Sequence, residues 1–233
     1  MHITVINPNS TVSMTEKIGL VAKAVASPDT LIFVTNPKDS PASIEGYYDE
    51  AMSLAPLLRT IEAYPQTDAF VIACFDDTGL DAARCVTDKP VIGIGEAAYH
   101  MATLVANNFS VVTTLERSVP ALQHNLHRYG LAGRCVKVRA AEVPVLELEK
   151  PESDARQRIC VEIEAALEVD RAEAIVLGCA GMADLADELS KVYGLPVLDG
   201  VRCAVSLAES LVRVGLKTSK VIGYAPPVKV KTA

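Results

Sequence analysis

The sequence predicts an α/β protein of two similar domains, each a parallel four-stranded sheet flanked by helices, related to each other by a pseudo-twofold axis. Short runs rich in β-branched residues alternate with longer helix-like stretches, as expected of right-handed βαβ units. Several of these runs are almost continuously apolar, which is typical of parallel strands that helices cover on both faces. The second half of the chain repeats the order of the first.

Eight short runs are predicted to be strands, four in each half of the chain. The first four are ITVIN (3–7), LIFVT (31–35), AFVIAC (69–74) and VIGI (91–94). The second four are FSVVT (109–113), VKVRA (136–140), AIVLGC (174–179) and PVLDG (196–200). A last helix at about 201–215 and a further strand, VIGYA (221–225), are expected to return to the first domain.

The two halves are offset by a nearly constant number of residues, which indicates an internal duplication. Cys74 and Cys179 are 105 positions apart, and Pro90 and Pro196 are 106 positions apart. The segment TDAFVIAC aligns with RAEAIVLGC, and a helix and then a Pro-led strand are predicted after each. The predicted domains are residues 1–97 together with 206–233, and residues 98–205.

The composition limits the class of protein. The chain has 233 residues, half of them hydrophobic, and a net charge of -7, which argues against a nucleic-acid-binding protein with a basic face. No segment reaches the apolar length needed to span a bilayer. The start, MHITVINPNS, runs directly into a strand-like stretch without a charged leader. We therefore expect a cytoplasmic protein that binds neither nucleic acid nor membrane.

Two of the six cysteines stand where ligands bind in open parallel sheets. In a cytoplasmic chain of this size the cysteines are expected to be free thiols. Cys74 and Cys179 lie at the carboxyl ends of corresponding strands, and each is followed by small or polar residues that open a helix. The backbone N–H groups of a helix start are expected to lower the pKa of each thiol. Pseudo-symmetry would place the two sulfurs on opposite walls of a cleft between the domains, which is the predicted active site.

Two thiols on opposite walls suit the inversion of a stereocentre beside a carbonyl group. One cysteine, as the thiolate, would remove a proton from one face of the carbon, and the other, as the thiol, would protonate the opposite face. The ordinary pKa of a thiol is close enough to neutrality for both forms to be accessible. The neighbouring carbonyl takes up the charge as an enolate, so we expect no cofactor. The competing interpretation is that both cysteines are small apolar core residues.

The other polar signals are interpreted structurally. His124 and His127, three residues apart on a predicted helix, lack a nearby acidic ligand and are assigned to the surface or to an oligomer contact. Asp76 and Asp77 are expected to cap the helix that they precede. GIGEAA (93–98) has only two of the three glycines of a dinucleotide-binding turn, so no nucleotide site is expected. The cysteines without metal-ligand spacing, which we interpret as packing residues, are Cys85, Cys135, Cys160 and Cys203.

Five segments resemble the aspartate/glutamate racemase superfamily and, within it, the hydantoin racemases. They are INPNST (6–11), SIEGYYDEA (43–51), ACFDDTGLDAAR (73–84), VTTLERSVP (112–120) and VLGCAGMADL (176–185). The resemblance implies two similar α/β domains with the active site between them, Cys74 and Cys179 as catalytic residues, and assembly into a homo-oligomer. Thr78 departs from the proline that many relatives carry in this turn.

The resemblance also implies a set of substrate-binding residues. Polar side chains after the first strand of each half would hold a ring carbonyl, and backbone N–H groups beyond each cysteine would bind the enolate oxygen. Pro41 and Ile44 would contact the ring substituent. Turn and capping chemistry is the alternative explanation for the Ser, Thr and Asn positions. The full set is Asn9, Ser10, Thr11, Pro41, Ile44, Phe75, Asp76, Thr78, Thr113, Thr114, Ala180 and Gly181.

The expected substrate is a 5-monosubstituted hydantoin, a cyclic ureide whose C5–H is flanked by a carbonyl. The ring carries no carboxylate, and the motif segments contain no lysine and only two arginines, Arg84 and Arg117. Allantoin racemase is the nearest alternative, and an amino acid racemase, which must hold a free carboxylate, is more distant. A decarboxylase is less expected still, because it needs only one proton donor. The non-enzymatic alternative is a two-domain module that closes on a small ligand.

Overall fold

The fold consists of two parallel four-stranded sheets with helices packed on them. The computed structural model describes residues 1–150 and 152–228 of the chain. The elements of the first half are β1 (His2–Ile6), α1 (Val12–Val25), β2 (Leu31–Thr35), α2 (Tyr47–Ala63), β3 (Ala69–Ile72), α3 (Leu80–Val86), β4 (Val91–Gly93) and α4 (Ile94–Val105). Those of the second half are β5 (Phe109–Thr113), α5 (Val119–Arg128), β6 (Cys135–Ala140), α6 (Ala155–Glu168), β7 (Ile175–Leu177), α7 (Ala186–Tyr193), β8 (Val197–Asp199) and α8 (Gly200–Arg213). Short 3₁₀ helices lie at Glu116–Ser118, Val145–Glu149, Ala180–Leu185 and Ile222–Tyr224.

Both sheets have the same strand order. The first is β2-β1-β3-β4 and the second is β6-β5-β7-β8, with every neighbouring pair parallel. The eight strands predicted for the two halves are all present, and the two-domain α/β class is confirmed. Among the helices of the described residues, none combines the length and the apolar character needed to cross a bilayer.

The central strands are largely apolar because helices cover both of their faces. Every residue of β3, β5 and β7 is buried, whereas the edge strands β2 and β6 are partly exposed. A strand that is buried on both faces loses the alternation of polar and apolar residues. The continuous apolar runs in the sequence therefore mark the middle of each sheet.

Helices α4 and α8 join the two sheets into one continuous core. Helix α8 packs on α1, α4 and β3, and α4 also contacts β7 and β8. The ring of Tyr99, on α4, is fully buried and stacks on Phe109 of β5 with their centroids 5.9 Å apart. It also meets Phe75 in a T-shaped contact at 5.4 Å. The domain limits proposed from the sequence fall inside α4 and α8, and the division into 1–97 with 206–233 and 98–205 stays a prediction.

The predicted strand VIGYA (221–225) is wrong. Ile222–Tyr224 form a 3₁₀ helix instead. Ile222 adopts a left-handed φ of 62°, which interrupts an extended conformation. The following Pro226 and Pro227 have no N–H to donate to a sheet ladder. An apolar run alone therefore did not define a strand here.

The segment after α8 nevertheless returns to the first half of the chain, as expected. The Thr218 N–H donates to the Asp88 carbonyl at 2.9 Å. Its hydroxyl donates to the Lys89 carbonyl at 2.7 Å. Residues 229–233 of the predicted first domain lie outside the described residues.

Glu209, on α8, ties this helix to the loop before β2. Its carboxylate accepts hydrogen bonds from the N–H and the hydroxyl of Ser27 at 2.8 and 2.9 Å, and from the hydroxyl of Thr30. Burial raises the pKa of Glu209, but these hydrogen bonds outweigh it and leave the pKa below its ordinary value. The ionised carboxylate is thus the form that the fold stabilises.

Replacing Glu209 by Gln should lower the free energy of unfolding by about 1–3 kcal/mol at neutral pH, because an amide cannot accept all three hydrogen bonds. Since the folded pKa is depressed, the wild-type advantage is present at neutral pH and is lost as the pH falls through the folded pKa. Urea unfolding at about pH 7 and about pH 4 measures both effects. The exposed Glu16 on α1, replaced by Gln, is the control and should change stability by less than about 0.5 kcal/mol. Equal losses in the two variants would contradict the assignment.

Candidate active site

Cys74 and Cys179 occupy equivalent places in the two sheets. Strand β3 ends at Ile72 and β7 ends at Leu177, so each cysteine lies just beyond the carboxyl end of the corresponding strand. Both strands are central in their sheets. The two cysteines line one cavity between the sheets.

The cavity contains about 450 Å³ of empty space, part of which is open to solvent. The predicted substrate-binding residues that line it are Asn9, Ile44, Phe75, Asp76, Thr113, Thr114 and Ala180. Residues that line it without having been predicted are Met14, Ala73, Ser118, Leu122, Val145 and Gly178. The predicted residues that do not line it are Ser10, Thr11, Pro41, Thr78 and Gly181.

Asn9 lines the cavity at the loop that follows β1. Its Oδ1 accepts hydrogen bonds from Asn7 Nδ2 at 2.8 Å and from the Thr11 N–H at 2.9 Å. Its Nδ2 lies 3.3 Å from the sulfur of Met14. Because a thioether is a weak acceptor, the Asn9 amide N–H retains most of its capacity to bind a carbonyl oxygen.

Ser10 and Thr11 hold a neighbouring loop and do not face the cavity. The Ser10 N–H donates to the Pro41 carbonyl at 2.9 Å, and the Thr11 hydroxyl donates to the Ala42 carbonyl at 2.6 Å. These bonds fix the loop that brings Ile44 to the cavity. In the structure Ser10, Thr11 and Pro41 hold this turn, and their role in substrate binding stays a prediction.

The corresponding strand end of the second half is tightly packed. The Thr113 hydroxyl donates to the Gly178 carbonyl at 2.9 Å. A Cβ added at Gly178 would lie 2.8 Å from the Cβ of Thr113, so the residue before Cys179 has to be glycine. Thr113 therefore contributes to the position of this cysteine as well as to the cavity wall.

The two aspartates that follow the first cysteine have different partners. Asp76 Oδ1 accepts hydrogen bonds from the N–H and the hydroxyl of Thr78 at 3.2 and 2.6 Å. The Asp77 carboxylate accepts from the N–H groups of Gly95 at 2.9 Å and Glu96 at 2.8 Å. Asp77 was expected to cap the helix that it precedes in sequence. It caps α4 instead.

The glycines of GIGEAA (93–98) make room for this carboxylate. A Cβ at Gly93 would lie 2.0 Å from Asp77 Oδ1, and one at Gly95 would lie 2.3 Å from the Phe75 carbonyl oxygen. Both distances are far below van der Waals contact. The motif is therefore explained as the place where the turn after Cys74 packs on α4.

Helix α5 of the second half holds the same turn. The Tyr129 hydroxyl donates to Asp77 Oδ2 at 2.7 Å. Asn125 Nδ2 donates to the Asp76 carbonyl at 2.7 Å. Sequence reasoning missed both residues because no local pattern marks a partner some fifty positions away. The turn that carries Cys74 is thus fixed from both halves of the chain.

The segment Val145–Glu149 borders the cavity from the second half and is bonded to the first. The Val145 N–H donates to Glu45 Oε1 at 2.9 Å. Lys17, on α1, forms an ion pair with Glu149, with Nζ and Oε1 2.9 Å apart. These contacts attach the segment that carries Val145 to the first half of the chain, and the sequence carried no signal for them.

The prediction that the helix starts lower the thiol pKa values is wrong. Burial raises the pKa of Cys179 to about 11, although the Gly181 N–H and the Lys17 cation oppose this shift. Burial, reinforced by the Asp76 carboxylate, raises the pKa of Cys74 well above its ordinary value. The free-energy cost of removing a thiolate from water exceeds the stabilisation that the helix-start N–H groups provide. Both thiols are therefore protonated in the free protein at neutral pH.

The remaining cysteines and the two histidines lie outside the cavity. All six cysteines are free. Cys203 is buried in the core that joins the two sheets, and Cys135 packs against that core. Cys160 packs against a separate apolar cluster in the second half of the chain. His124 and His127 are exposed. Within residues 1–150 and 152–228, no cluster of three or more His, Cys, Asp or Glu side chains could hold a metal ion.

Gly95→Ala should lower the free energy of unfolding by about 2 kcal/mol or more, because the methyl group would meet the Phe75 carbonyl and displace the Asp77 cap. Urea or thermal unfolding measures the change. The matched control is Gly133→Ala, since a Cβ at Gly133 has nothing within 4 Å and stability should stay within about 0.5 kcal/mol of wild type. A Gly95→Ala protein as stable as wild type would rule out the close packing at this turn.

The chain is similar to known proteins along its whole length. It is 50% identical to the hydantoin racemase of Rhizobium meliloti, with all of this chain and 97% of that protein covered. It is 46% identical to the hydantoin racemase of Pseudomonas sp. strain NS671, with 98% of this chain and 93% of that protein covered. The solved structure of allantoin racemase from Klebsiella pneumoniae matches with a TM-score of 0.97 at 46% identity, covering 100% of this chain and 96% of that one.

The family model described as Asp/Glu/Hydantoin racemase matches residues 3–208. This match includes both sheets, both cysteines and the turns that hold them. Since fold, strand ends and sequence agree over the full chain, the protein is an isomerase of the racemase type and belongs to the Asp/Glu/Hydantoin racemase family.

Proposed function

We propose that this racemase inverts C5 of 5-monosubstituted hydantoins by proton transfer between two thiols, with Cys74 and Cys179 as acid and base. The observation that carries the proposal is that two cysteines from equivalent strand ends line a single cavity. The hydantoin racemases of similar sequence support this class of substrate.

The reaction requires a base on one face of C5 and an acid on the other. One sulfur, as the thiolate, takes the C5 proton, and the electron pair of the broken C–H bond moves into the C4 carbonyl to give an enolate. The other sulfur gives its S–H proton to the opposite face of C5, and the carbonyl re-forms. Substrate and product differ only in configuration, while the two sulfurs exchange protonation states. The ring carbonyl is the electron sink, so the proposal includes no cofactor.

The raised thiol pKa values favour this use of the cysteines. A thiolate whose conjugate acid has a pKa of about 11, as at Cys179, is a stronger base than an ordinary thiolate. A stronger base removes a weakly acidic C–H proton with less unfavourable free energy. The smaller fraction of thiolate in the free enzyme opposes this gain, so activity should rise with pH above neutrality.

The developing enolate oxygen needs hydrogen-bond donors that are already in place. Asn9 Nδ2 meets the requirement, since it faces the weakly accepting Met14 sulfur. The first N–H groups of the 3₁₀ helix Ala180–Leu185 meet it as well, because a helix start leaves such groups without intrahelical partners. We assign the enolate oxygen to donors of these two kinds.

The charge of the cavity favours a neutral ring over a free amino acid. Among the described residues that line it, Asp76 is the one with a carboxyl group, and none is a lysine or an arginine. The carboxylate of an amino acid would thus meet another carboxyl group and no cationic side chain in the wall. A hydantoin ring has no carboxylate and needs no cation to hold it.

Allantoin is the second candidate substrate, because a solved allantoin racemase has nearly the same fold at 46% identity. The two substrates share the ring and differ in the C5 substituent. The cavity wall includes apolar side chains that suit a hydrocarbon substituent better than a polar ureido group. These side chains are Met14, Ile44, Leu122 and Val145.

Three further proposals concern the location, the assembly and the partners of the enzyme. It is expected in the cytoplasm, as a homo-oligomer, and without nucleic-acid or membrane partners. The net charge of -7 supports the last point. Size-exclusion chromatography with light scattering tests the oligomer.

The first test is proton NMR of single-enantiomer 5-benzylhydantoin, 5-isopropylhydantoin and allantoin in D₂O. The wild type should replace C5–H by deuterium and remove optical activity, fastest on the hydantoins with hydrocarbon substituents. Cys74→Ser and Cys179→Ser should each lose about 10²–10⁴-fold or more in racemisation, the range of a general acid or base. Residual exchange confined to one enantiomer would assign each sulfur to its face.

Cys85→Ser is the matched control, because Cys85 is a free cysteine outside the cavity. It should racemise as the wild type does. Exchange on allantoin alone would favour the second candidate, and full activity in either cavity variant would exclude the two-thiol mechanism. A wild type that binds a hydantoin but exchanges no C5–H would favour the non-catalytic module.

A further inference from the structure

One face of α5 extends from the cavity to the turn that follows Cys74. The residues of this face recur at spacings of four, three and four positions, which places them on one side of a helix. The first two line the cavity, and the last two donate hydrogen bonds to the turn. In chain order they are Ser118, Leu122, Asn125 and Tyr129. This face of the second half therefore reaches the cavity at one end and the turn at the other.

The turn after Cys74 contains a strained residue. The Asp77 N–H donates to the Cys74 carbonyl at 3.0 Å, which closes the turn. Asp77 adopts a left-handed φ of 55°, a conformation that residues other than glycine adopt at an energetic cost. Such a conformation persists where the surrounding contacts hold it. The turn that places Cys74 therefore depends on bonds that come from outside it.

Asn125 supplies one of these bonds at the peptide group that precedes the strained residue. Its side chain is 6% exposed, and its Nδ2 donates to the Asp76 carbonyl at 2.7 Å. This carbonyl and the Asp77 N–H belong to one planar peptide group, whose tilt relative to Asp77 is set by the strained φ. A carbonyl that is buried without a donor costs free energy. Asn125 thus holds the peptide plane on which the shape of the turn depends.

The equivalent strand end of the second sheet is held in another way. Strands β1 and β5 are the equivalent neighbours of the two cysteine strands, and Asn7 and Thr113 hold equivalent positions at their carboxyl ends. The Thr113 hydroxyl donates to the carbonyl of Gly178, the residue before Cys179. The Asn7 amide bonds instead to the loop and helix that follow its own strand, and among the described residues none of its hydrogen bonds reaches the turn after Cys74.

We propose that Asn125, supported by Tyr129, is a positioning residue that sets the place of Cys74 relative to Cys179. Both cysteines are then fixed to the second half of the chain, Cys179 through its own strand end and Cys74 through α5. The inference rests on the proposed two-thiol reaction, in which both sulfurs have to reach one carbon. A displacement of about 1 Å at a reacting group can cost about 10²-fold in rate. Loss of the Asn125 bond should therefore impair the proton transfer at Cys74 and leave the one at Cys179.

The two proton transfers can be distinguished in D₂O. For the enantiomer whose C5 proton is removed by Cys179, Cys74 has to deliver a proton to the opposite face. When Cys74 is displaced, the enolate is more often reprotonated by Cys179, whose S–H has exchanged with D₂O in the meantime. C5–H is then replaced by deuterium with retention of configuration. The ratio of exchange to inversion rises for this enantiomer alone, and the ratio does not depend on the amount of folded enzyme.

The experiment follows C5–H exchange by proton NMR and inversion by polarimetry on each enantiomer of 5-benzylhydantoin. Asn125→Leu removes the amide and keeps a side chain of similar size. It should lower kcat by about 10²-fold and raise the ratio of exchange to inversion for the enantiomer that Cys74→Ser still exchanges. Tyr129→Phe removes one hydroxyl and should shift the same ratio in the same direction by less. Thr113→Val removes the bond at the Cys179 strand end and should raise the ratio for the opposite enantiomer.

Gln123→Ala is the matched control, because Gln123 lies on the exposed side of α5 and does not line the cavity. It should keep the wild-type rate and the wild-type ratio for both enantiomers. A lower rate in Asn125→Leu with an unchanged ratio would mean that the bond only stabilises the fold, and would overturn the positioning role. An equal rise for both enantiomers would overturn it as well.

Hydrogen–deuterium exchange read by mass spectrometry tests the anchor without a substrate. In Asn125→Leu, the amides of residues 73–80 should lose about tenfold or more of their protection because the turn opens locally. Residues 178–185 should keep theirs. Tyr129→Phe carries the same test should Asn125→Leu unfold.

The amide measurement and the racemisation assay fail independently. Unchanged protection at residues 73–80 in both variants would overturn the inference, whatever the activity. Loss of protection in a protein whose wild type racemises no hydantoin would overturn the two-thiol reaction and, with it, the positioning role in catalysis. Loss of protection together with the one-sided rise in the exchange ratio is the result that we expect.

Discussion

The hydrogen bonds of Asp77 to the start of α4 are the contact on which the site depends. They fix the turn that carries Cys74 against the helix that joins the two sheets. Burial raises the pKa of this carboxyl to about 7, and its three donors offset much of the cost of burying the charge. The third donor, Tyr129, belongs to the second half. One carboxylate thus sets the position of a cysteine relative to both sheets.

Local pattern was sufficient for most of the fold and for the place of the two cysteines. A buried parallel strand is recognisable from its composition, and a residue just past its end is at the carboxyl edge of the sheet whatever lies elsewhere in the chain. Cys74 and Cys179 were predicted on that ground. The run at 221–225 has a similar composition, but Ile222 turns out of the extended conformation and the prolines that follow cannot pair.

Partners that are distant in sequence were out of reach of the same reasoning. Neither Asn125 nor Lys17 stands in a motif, and each gains its importance from the packing of one half on the other. The prediction of lowered thiol pKa values was wrong for a related reason. Burial by side chains from both halves raises the thiol pKa by more than the N–H groups of a helix start lower it. Local sequence locates a group, whereas its electrostatic environment is a property of the assembled fold.

The unequal surroundings of the two sulfurs have a thermodynamic consequence for a racemase. Mirror-image substrates have equal free energies in water, so the equilibrium constant is one and kcat/KM must be the same for both hands. No arrangement of charges at Asp76 and Lys17 can make the enzyme consume one enantiomer more efficiently at low concentration. The asymmetry can appear only as a compensating pair, in which the hand that has the lower KM is also the one with the lower kcat.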